Sequence, residues 1–319
     1  MAEYVLAADL GGTNIRVAAV DPAGSILYQS RSATPETRTR EPIVQTIAEL
    51  ARECITEAGN GRQPAAFGLA AAALVNSSEG RVFSSPNLPD LDGFPLAGAV
   101  SDAAGVSVIL ENDATAAAIG EAWLGASRNV GSSICITLGT GVGGGIILDG
   151  RPLRGIDGTA AEIGHICVEP RGVSCGCGSF GCLEQYASAT AITRMADELA
   201  EGFPLSVLSG DRSPSSRAVF DAGIGGDELA LEVFRRAGFY LGTAIAGLVN
   251  VLNPEMIVIA GGAAAGWELL AGTVRQTMME KAFQRPAERV KLVPAELGDN
   301  AGILGAAQVA LQHKPPFIK

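Results

Sequence analysis

The chain has 319 residues, 47% of them apolar, and a formal net charge of −11. This length is sufficient for two domains with separate cores, and the composition is typical of a folded globular protein. Nucleic acids and anionic membranes attract clustered Lys and Arg, which this acidic sequence lacks, so the composition argues against both as partners.

The N-terminal segment predicts a strand rather than a targeting sequence. MAEYVLAADL lacks the basic start and the cleavage site of a signal peptide, and no apolar run elsewhere is long and clean enough to span a bilayer. We therefore expect a cytoplasmic protein without a membrane partner. Thiols stay reduced in that compartment.

A glycine-rich turn follows the first strand, and the same pattern recurs later in the chain. Residues 4–21, YVLAADLGGTNIRVAAVD, predict a strand, a turn and a second strand, and residues 132–149, SSICITLGTGVGGGIILD, have the same order. We interpret this as a weak internal duplication, with one hairpin opening each of two domains. Two unrelated glycine-rich hairpins are the alternative.

Helices and strands alternate through the rest of the chain, which predicts an α/β fold. Between the hairpins, the pattern predicts a helix over 41–59, a buried strand over 65–75, a proline-rich loop over 84–95, a strand over 106–113 and a helix over 114–126. After a cysteine-rich loop, it predicts mainly helix to residue 254, a strand over 255–262, a helix from about 267, a strand over 289–295 and a terminal helix after 298–305.

The domain boundary is expected without a flexible linker, because no low-complexity segment separates the halves. We predict an N-terminal α/β domain over 1–120 and a C-terminal α/β domain over 121–319, with the terminal helix packing back on the first domain. A cleft between two such domains is a common place for a ligand.

The sequence DLGGT places glycines at the end of the first strand. Backbone N–H groups of such a turn can bind phosphate oxygens, and a carboxylate at the strand end can bind magnesium directly or through water. We therefore predict nucleotide contacts from Asp9, Gly11, Gly12 and Thr13. A Gly-Gly pair is also a common turn that binds nothing.

Two later glycine turns, in residues 137–145 and 260–262, also follow predicted strands. Neither has the Gly-Lys-Ser/Thr ending of a Walker A loop or a G-x-G-x-x-G run that opens a helix, which argues against P-loop and Rossmann sites. Their backbone amides are suited to an anion. We predict that a nucleotide lies across the second domain and contacts Thr137, Gly139, Thr140, Gly141, Gly261 and Gly262.

The segment ENDA places Asn112 and Asp113 where a strand ends and a helix begins. Asn and Asp are preferred helix caps, and capping alone explains one of them. A second polar residue leaves room for chemistry, because a carboxylate can accept the proton of a hydroxyl that attacks phosphorus.

Three cysteines and a histidine have the composition of a closed zinc site. His165, Cys175, Cys177 and Cys182 supply one imidazole and three thiolates, which is the donor set of a structural tetrahedral Zn²⁺. The redox alternative would favour a C-x-x-C spacing, which is absent. We expect the remaining three, Cys54, Cys135 and Cys167, to be small buried apolar residues.

Two carboxylates, Glu162 and Glu184, flank this cysteine loop. If zinc takes one ring nitrogen of His165, the other must donate to an oxygen, and a substrate hydroxyl would serve. Carboxylates beside it are natural acceptors for sugar hydroxyls, although solvated surface charges are the alternative. We favour sugar binding.

The ordered motifs resemble the ROK family of bacterial sugar kinases and sugar-responsive repressors over essentially the whole chain. The resemblance is carried by DLGGT, ENDA, TLGTGVGGG, EIGH, CGCGSFGCLE and the late AGG. It implies two actin-like, ribonuclease-H-like ATPase domains with a cleft between them and a zinc-binding loop in the second. It also implies that Asp113 is the catalytic base, that His165 binds both zinc and sugar, and that the substrate ligands are Asn87, Asn112, Asp113, Glu162, His165 and Glu184.

The resemblance implies ATP-dependent phosphorylation of the 6-hydroxyl of a hexose, with Mg²⁺ as cofactor and structural Zn²⁺. Repressors of the family carry a helix-turn-helix segment before the first strand, for which we expect no room here. The motifs are most similar to those of glucose kinases. N-acetylglucosamine or N-acetylmannosamine kinases and a non-catalytic sugar-binding regulator are the alternatives. The expected partners are a hexose, ATP and further copies of the chain in a homodimer or homotetramer.

Overall fold

In the described residues of this protein, a computed structural model contains two five-stranded sheets and one two-stranded sheet. The structure describes residues 4–59, 61–210, 213–262 and 266–313. The chain divides into two compact units. The first contains the described parts of Met1–Asn129, Gly145–Ala161 and Glu296–Lys319, and the second contains those of Val130–Gly144 and Glu162–Ala295. Residue 120, the predicted end of the first domain, lies inside a helix of the first unit.

The five-stranded sheet of the first unit has the order β3-β2-β1-β4-β7. Its strands are β1 (Val5–Leu10), β2 (Asn14–Val20), β3 (Ile26–Ala33), β4 (Phe67–Ala71) and β7 (Val108–Asn112). β1 pairs antiparallel with β2 and parallel with β4, and β4 pairs parallel with β7. The register aligns Leu10 with Ala71 and Ala71 with Asn112. The DLGGT turn and the ENDA segment therefore follow strands that end at one edge of this sheet.

Both faces of this sheet are covered by helices. Leu6, Ala8 and Leu10 of β1 belong to a core that includes residues of α1 (Arg40–Gly59) and α2 (Leu96–Ala104). Val5 and Ala7 belong to a second core, with residues of α3 (Asp113–Trp123) and α10 (Ala301–Gln312). Because successive side chains of a strand point to opposite faces, a strand buried on both sides needs a continuous apolar run, as in VLAADL.

Glycines bring α3 and α10 into backbone contact. A Cβ on Gly305 would collide with the carbonyl oxygen of Ala116, and one on Gly120 would collide with that of Ala301. The terminal helix also lies on β4, where a Cβ at Gly68 would collide with the carbonyl oxygen of Ala306. These close approaches hold the helix that follows the ENDA segment against the first sheet.

The second five-stranded sheet has the order β10-β9-β8-β11-β12. Its strands are β8 (Ser133–Leu138), β9 (Val142–Leu148), β10 (Arg151–Pro152), β11 (Met256–Ala260) and β12 (Lys291–Pro294). β11 pairs parallel with both β8 and β12. The order corresponds to that of the first sheet, with β8 in the place of β1, and this correspondence supports the predicted duplication.

Six helices of the second unit follow the cysteine-rich loop in its described residues: α4 (Glu184–Ala187), α5 (Ala189–Leu199), α6 (Ser216–Ile224), α7 (Glu228–Leu252), α8 (Trp267–Lys281) and α9 (Gln284–Arg289). α7 and α8 pack closely because α7 carries glycines on the shared face. A Cβ at Gly238 would lie 2.9 Å from the Cβ of Thr273, and one at Gly242 would lie 2.7 Å from the Cβ of Thr277.

Some predicted elements need correction. The single strand predicted over 65–75 is broken, because Ala72 and Ala73 turn the chain from β4 to β5 (Leu74–Asn76), which pairs with β6 (Arg81–Ser84) in the two-stranded sheet. The predicted burial of Cys167 is also wrong, because this side chain is exposed, whereas Cys54 and Cys135 are buried. Among the described residues, none of the helices has the length and apolar character needed to cross a bilayer.

Candidate active site

The DLGGT turn is fixed by residues that follow it in the chain. The carbonyl oxygen of Gly11 accepts a hydrogen bond from Thr34 Oγ1 at 2.7 Å, and that of Thr13 accepts one from the Thr34 backbone N–H at 2.9 Å. A Cβ on Gly12 would lie 3.0 Å from the Cβ of Asn87, so the predicted sugar ligand Asn87 packs directly on this turn. The guanidinium of Arg38, a residue with φ 51°, donates to the Asn87 carbonyl oxygen.

Asp9 forms an ion pair that the sequence analysis did not predict. Its Oδ2 lies 2.5 Å from Nη2 of Arg16, which also donates to the carbonyl oxygen of Asp299 at 2.7 Å. Asp9 and Arg16 are directly opposite in the antiparallel β1–β2 pair. The hairpin pattern contained this signal, because a turn centred on Gly12 and Thr13 brings position 9 opposite position 16. Arg16 therefore fixes the carboxylate next to the glycine turn.

Asn112 and Asp113 have different local roles. Asn112 caps α3, since its Oδ1 accepts a hydrogen bond from the Thr115 backbone N–H at 2.9 Å. Its Nδ2 donates to the Ala73 carbonyl oxygen and to Oδ1 of Asp113, at 3.2 and 3.1 Å. Asp113 Oδ1 also accepts from the Ala114 backbone N–H at 2.9 Å. The capping alternative thus applies to Asn112, and it does not explain a carboxylate at position 113.

The residue before this pair, Glu111, is a buried carboxylate that the sequence analysis did not assign. It pairs with Arg154 and is 1% exposed. A Glu inside the apolar run VSVILEND was a signal that some partner exists. Sequence alone could not identify an arginine 43 residues away.

In the second unit, the turn after β8 is tied to a predicted sugar ligand. Oε2 of Glu184 accepts a hydrogen bond from the Val142 backbone N–H at 3.1 Å and occupies the space that a Cβ on Gly141 would need. Gly139 N–H donates to the Gly141 carbonyl oxygen at 2.9 Å and closes the turn. Thr137 precedes this turn in β8, opposite Ala260 of β11.

A cavity of about 540 Å³ lies beside this turn, within the second unit. Thr140 lines it together with Thr190 and Asp197 of α5 and with Ser215, which caps α6. Thr190 Oγ1 donates to the Thr140 carbonyl oxygen at 2.8 Å. The hydroxyl and carboxylate groups in a lining that is otherwise largely apolar, together with the adjacent glycine turn, are suited to a ligand that carries an apolar ring as well as hydroxyl and phosphate groups.

The glycine turn after β11 requires glycine at its first position. Gly261 has φ 90°, and a Cβ there would collide with the backbone of Leu138 in β8. Among the described residues, no heavy atom lies within 4 Å of the position that a Cβ on Gly262 would take.

The predicted zinc ligands converge in the second unit. The donor atoms of His165, Cys175, Cys177 and Cys182 all lie within 4.8 Å of one another. Sγ of Cys175 is 3.7 Å from Nδ1 of His165, and Sγ of Cys177 is 3.6 Å from Sγ of Cys182. Tetrahedral Zn²⁺ with Zn–S bonds of about 2.3 Å needs ligand separations of roughly 3.5–3.8 Å. The Cys175–His165 and Cys177–Cys182 separations lie within this range.

Local backbone geometry produces the convergence. Cys175 N–H donates to the Ser179 carbonyl oxygen at 2.8 Å, and Gly178 N–H donates to that of Cys175 at 3.0 Å. Gly178 has φ 89°, which reverses the chain between Cys177 and Cys182. Burial raises the pKa of the Cys182 thiol to about 12, whereas the Ser179 backbone N–H lowers that of Cys177. A buried thiol of raised pKa requires a bound cation to become a thiolate ligand.

Glu162 lies immediately before the short 3₁₀ turn Ile163–His165. Desolvation raises the pKa of its carboxyl group although the side chain keeps solvent contact, and the His165 ring opposes this shift while Glu184 adds to it. Both residues are therefore close enough to Glu162 to act on its charge. The preceding residue, Ala161, has φ 69°, a left-handed conformation that strains a residue with a Cβ.

Comparison with known proteins agrees with these motifs. The ROK family profile matches residues 5–313. The chain belongs to the ROK family. A glucokinase from Thermotoga maritima is 36% identical over 309 residues, which cover 96% of each chain.

Solved ROK structures have the same fold. A ROK glucokinase from Streptomyces griseus, in complex with glucose and AMPPNP, has a TM-score of 0.82 and 35% identity and covers 97% of this chain and 100% of its own. A ROK transcriptional regulator, a homolog of the E. coli MLC protein, has a TM-score of 0.87 and 30% identity and covers 96% of this chain and 77% of its own.

Proposed function

We propose that this ROK protein is a glucokinase that transfers the γ-phosphoryl group of ATP to the 6-hydroxyl of glucose. The carrying observation is the Asn112–Asp113 pair at the start of α3, in a chain similar over 97% of its length to a glucokinase crystallised with glucose and an ATP analogue. Asn112 provides the capping hydrogen bond, so for the helix an acid at position 113 adds only a dipole interaction of about 0.3–1 kcal/mol.

Asp113 is the proposed general base. Its carboxylate accepts the proton of the 6-hydroxyl as the hydroxyl oxygen attacks the γ-phosphorus, and the bond from that phosphorus to the ADP oxygen breaks. Asn112 Nδ2 donates to Asp113 Oδ1, and this hydrogen bond orients the carboxylate. The remaining proposed sugar ligands are Asn87, Asn112, Glu162, His165 and Glu184.

The glycine turns are the proposed phosphate-binding elements. Asp9, Gly11, Gly12 and Thr13 form the first set, and Thr137, Gly139, Thr140, Gly141, Gly261 and Gly262 form the second. The cavity beside Thr140 supports a place for the nucleoside part of ATP. Asp9 provides a carboxylate that suits Mg²⁺, which when bound neutralises phosphate charge.

Zinc is proposed to order the residues around His165. Nδ1 of His165 is the nitrogen that faces Cys175, so Nε2 remains as a donor to a sugar hydroxyl. The Cys177–Cys182 segment continues directly into Glu184, whose carboxylate is held by the Val142 N–H.

A reduced thiol site of this kind favours the cytoplasm. We further propose a homodimer or homotetramer, which light scattering of the purified protein tests.

A coupled assay of ADP release across a panel of hexoses tests the activity. The proposal predicts turnover with glucose at a kcat/KM above that for N-acetylglucosamine and N-acetylmannosamine. Sugar binding without turnover on any hexose would instead identify a non-catalytic regulator.

A further inference from the structure

The carboxylate of Glu111 joins three segments at the end of β7. Its side chain is 2% exposed, and its Oε2 accepts two hydrogen bonds from Arg154, from Nε at 2.9 Å and from Nη2 at 2.6 Å. Its Oε1 accepts from the Asn112 backbone N–H and from Ser77 Oγ, both at 3.1 Å. Both oxygens are thus used as acceptors, and one of their donors belongs to a proposed sugar ligand.

Arg154 begins a closed loop that is seated on the Ser77 segment. The carbonyl oxygen of Arg154 accepts a hydrogen bond from the Ala160 N–H at 3.2 Å. Gly158 has φ 93°, and a Cβ there would lie 2.7 Å from the Val75 carbonyl oxygen and 3.2 Å from the Ser77 nitrogen. The chain then continues through the strained Ala161 into Glu162, a second proposed sugar ligand.

We propose that Glu111 and Arg154 form a positioning pair for the sugar-binding residues, an inference that rests on the proposed function. Glu111 fixes the backbone of Asn112, whose side chain orients the Asp113 carboxylate. Arg154 fixes the start of the loop that leads into Glu162. The planar guanidinium imposes direction as well as charge, because its Nε–H and Nη2–H groups converge on one buried carboxylate oxygen. Neither residue contacts the reacting atoms in this proposal.

A purely structural role for the pair makes a different prediction. Removal of Arg154 leaves a buried uncompensated carboxylate, which destabilises the fold, but neutralisation of both partners removes that penalty. If the pair only stabilises the fold, the double variant regains activity together with stability. If the pair positions the site, stability returns and sugar kinetics do not.

The test compares Arg154→Met, the double variant Arg154→Met with Glu111→Gln, and Arg154→Lys. We expect a lower Tm for Arg154→Met and a Tm closer to wild type for the double variant. Both should show a fall in kcat/KM for glucose of roughly 10- to 100-fold, the scale of small misplacements in active sites, with the KM for ATP within about twofold of wild type. Arg154→Lys keeps the charge but replaces two donors of fixed, planar geometry with one flexible ammonium group, so an intermediate loss is expected in a folded protein.

Arg217→Lys is the matched control, because it makes the same change in the exposed Arg217–Asp221 pair of α6 and should leave both kinetic constants unaltered. Recovery of glucose kcat/KM together with Tm in the double variant, or wild-type glucose kinetics in folded Arg154→Lys, would overturn the proposal. Wild-type protein is assayed in parallel. Absence of turnover there refutes the proposed kinase, whereas wild-type turnover with unimpaired variants refutes only the positioning pair.

Discussion

Substitution of Asp113 by Asn separates catalysis from helix stabilisation. The structure assigns the cap of α3 to Asn112 Oδ1, so Asp113→Asn leaves the hydrogen bond to Thr115 N–H in place. The amide oxygen of the new side chain can still accept hydrogen bonds from Ala114 N–H and Asn112 Nδ2, as Asp113 Oδ1 does. The change therefore removes a negative charge and a proton acceptor while it keeps the shape.

The two effects differ widely in size. Loss of a carboxylate from the first turn of a helix removes about 0.3–1 kcal/mol of interaction with the helix dipole, which corresponds to roughly 2 °C in Tm or less for a chain of this size. Loss of a general base lowers kcat by about 10²- to 10⁴-fold, or roughly 2.7–5.5 kcal/mol in the activation barrier.

Single-turnover phosphorylation, glucose binding by calorimetry and thermal unfolding should all be measured on the same Asp113→Asn preparation. The matched control is Asn112→Ala, which removes the cap and should lower stability by about 0.5–2 kcal/mol. Near-normal phosphorylation by a folded, glucose-binding Asp113→Asn variant would remove Asp113 from the mechanism.

Three further predictions concern the metal, the packing and the charge of the site. Cys177→Ser should release about one equivalent of zinc and lower Tm, whereas Cys167→Ser, outside the ligand set, should retain the metal on elemental analysis. Gly305→Ala forces a Cβ into a backbone carbonyl and should destabilise by about 3 kcal/mol in urea titration. Gly98→Ala, a helical glycine with open space around it, should instead stabilise by roughly 0.5–1 kcal/mol, and equal effects would contradict the packing. Because the pKa of Glu162 is raised in the folded state, the folded protein binds this proton more tightly than the unfolded chain does. The free energy of unfolding therefore falls as pH rises from the ordinary carboxyl pKa through the raised pKa of Glu162. Glu162→Gln should therefore raise Tm at neutral pH but not at pH 4, and it should weaken glucose binding. A gain in Tm that is independent of pH would contradict the raised pKa of Glu162.

The sequence predicted the α/β layers because the strand signals are strong where both faces are buried, as in VLAADL and EMIVIA. The cysteine loop was predicted from its donor types, and the turn at Gly178 reverses the chain between Cys177 and Cys182. β3 was not predicted, because each face of ILYQSRSA mixes apolar and polar side chains, so the segment lacks the alternating pattern of a strand with one buried face. The break at Ala72 was also missed, since an alanine run does not show where a strand leaves its sheet.

The hydrogen-bonded supports of the site were harder to predict than its motifs. Arg16 opposite Asp9 follows from the register of a hairpin, so that contact was accessible from sequence in principle. The Glu111–Arg154 pair joins positions that are distant in the chain, and only the packing of the 154–160 segment on the Ser77 turn selects this arginine. Asn112 and Asp113 are equally good caps by composition, and the backbone geometry at the end of β7 decides between them.

The most direct test of the central claim is phosphorus NMR of purified protein with ATP, Mg²⁺ and each hexose of the panel. The proposed glucokinase activity predicts that glucose is converted to glucose 6-phosphate, with one ADP formed for each phosphate transferred, and that N-acetylhexoses react more slowly. Absence of phosphate transfer to any hexose by a folded protein that binds glucose would contradict the account, and so would faster transfer to an N-acetylhexose.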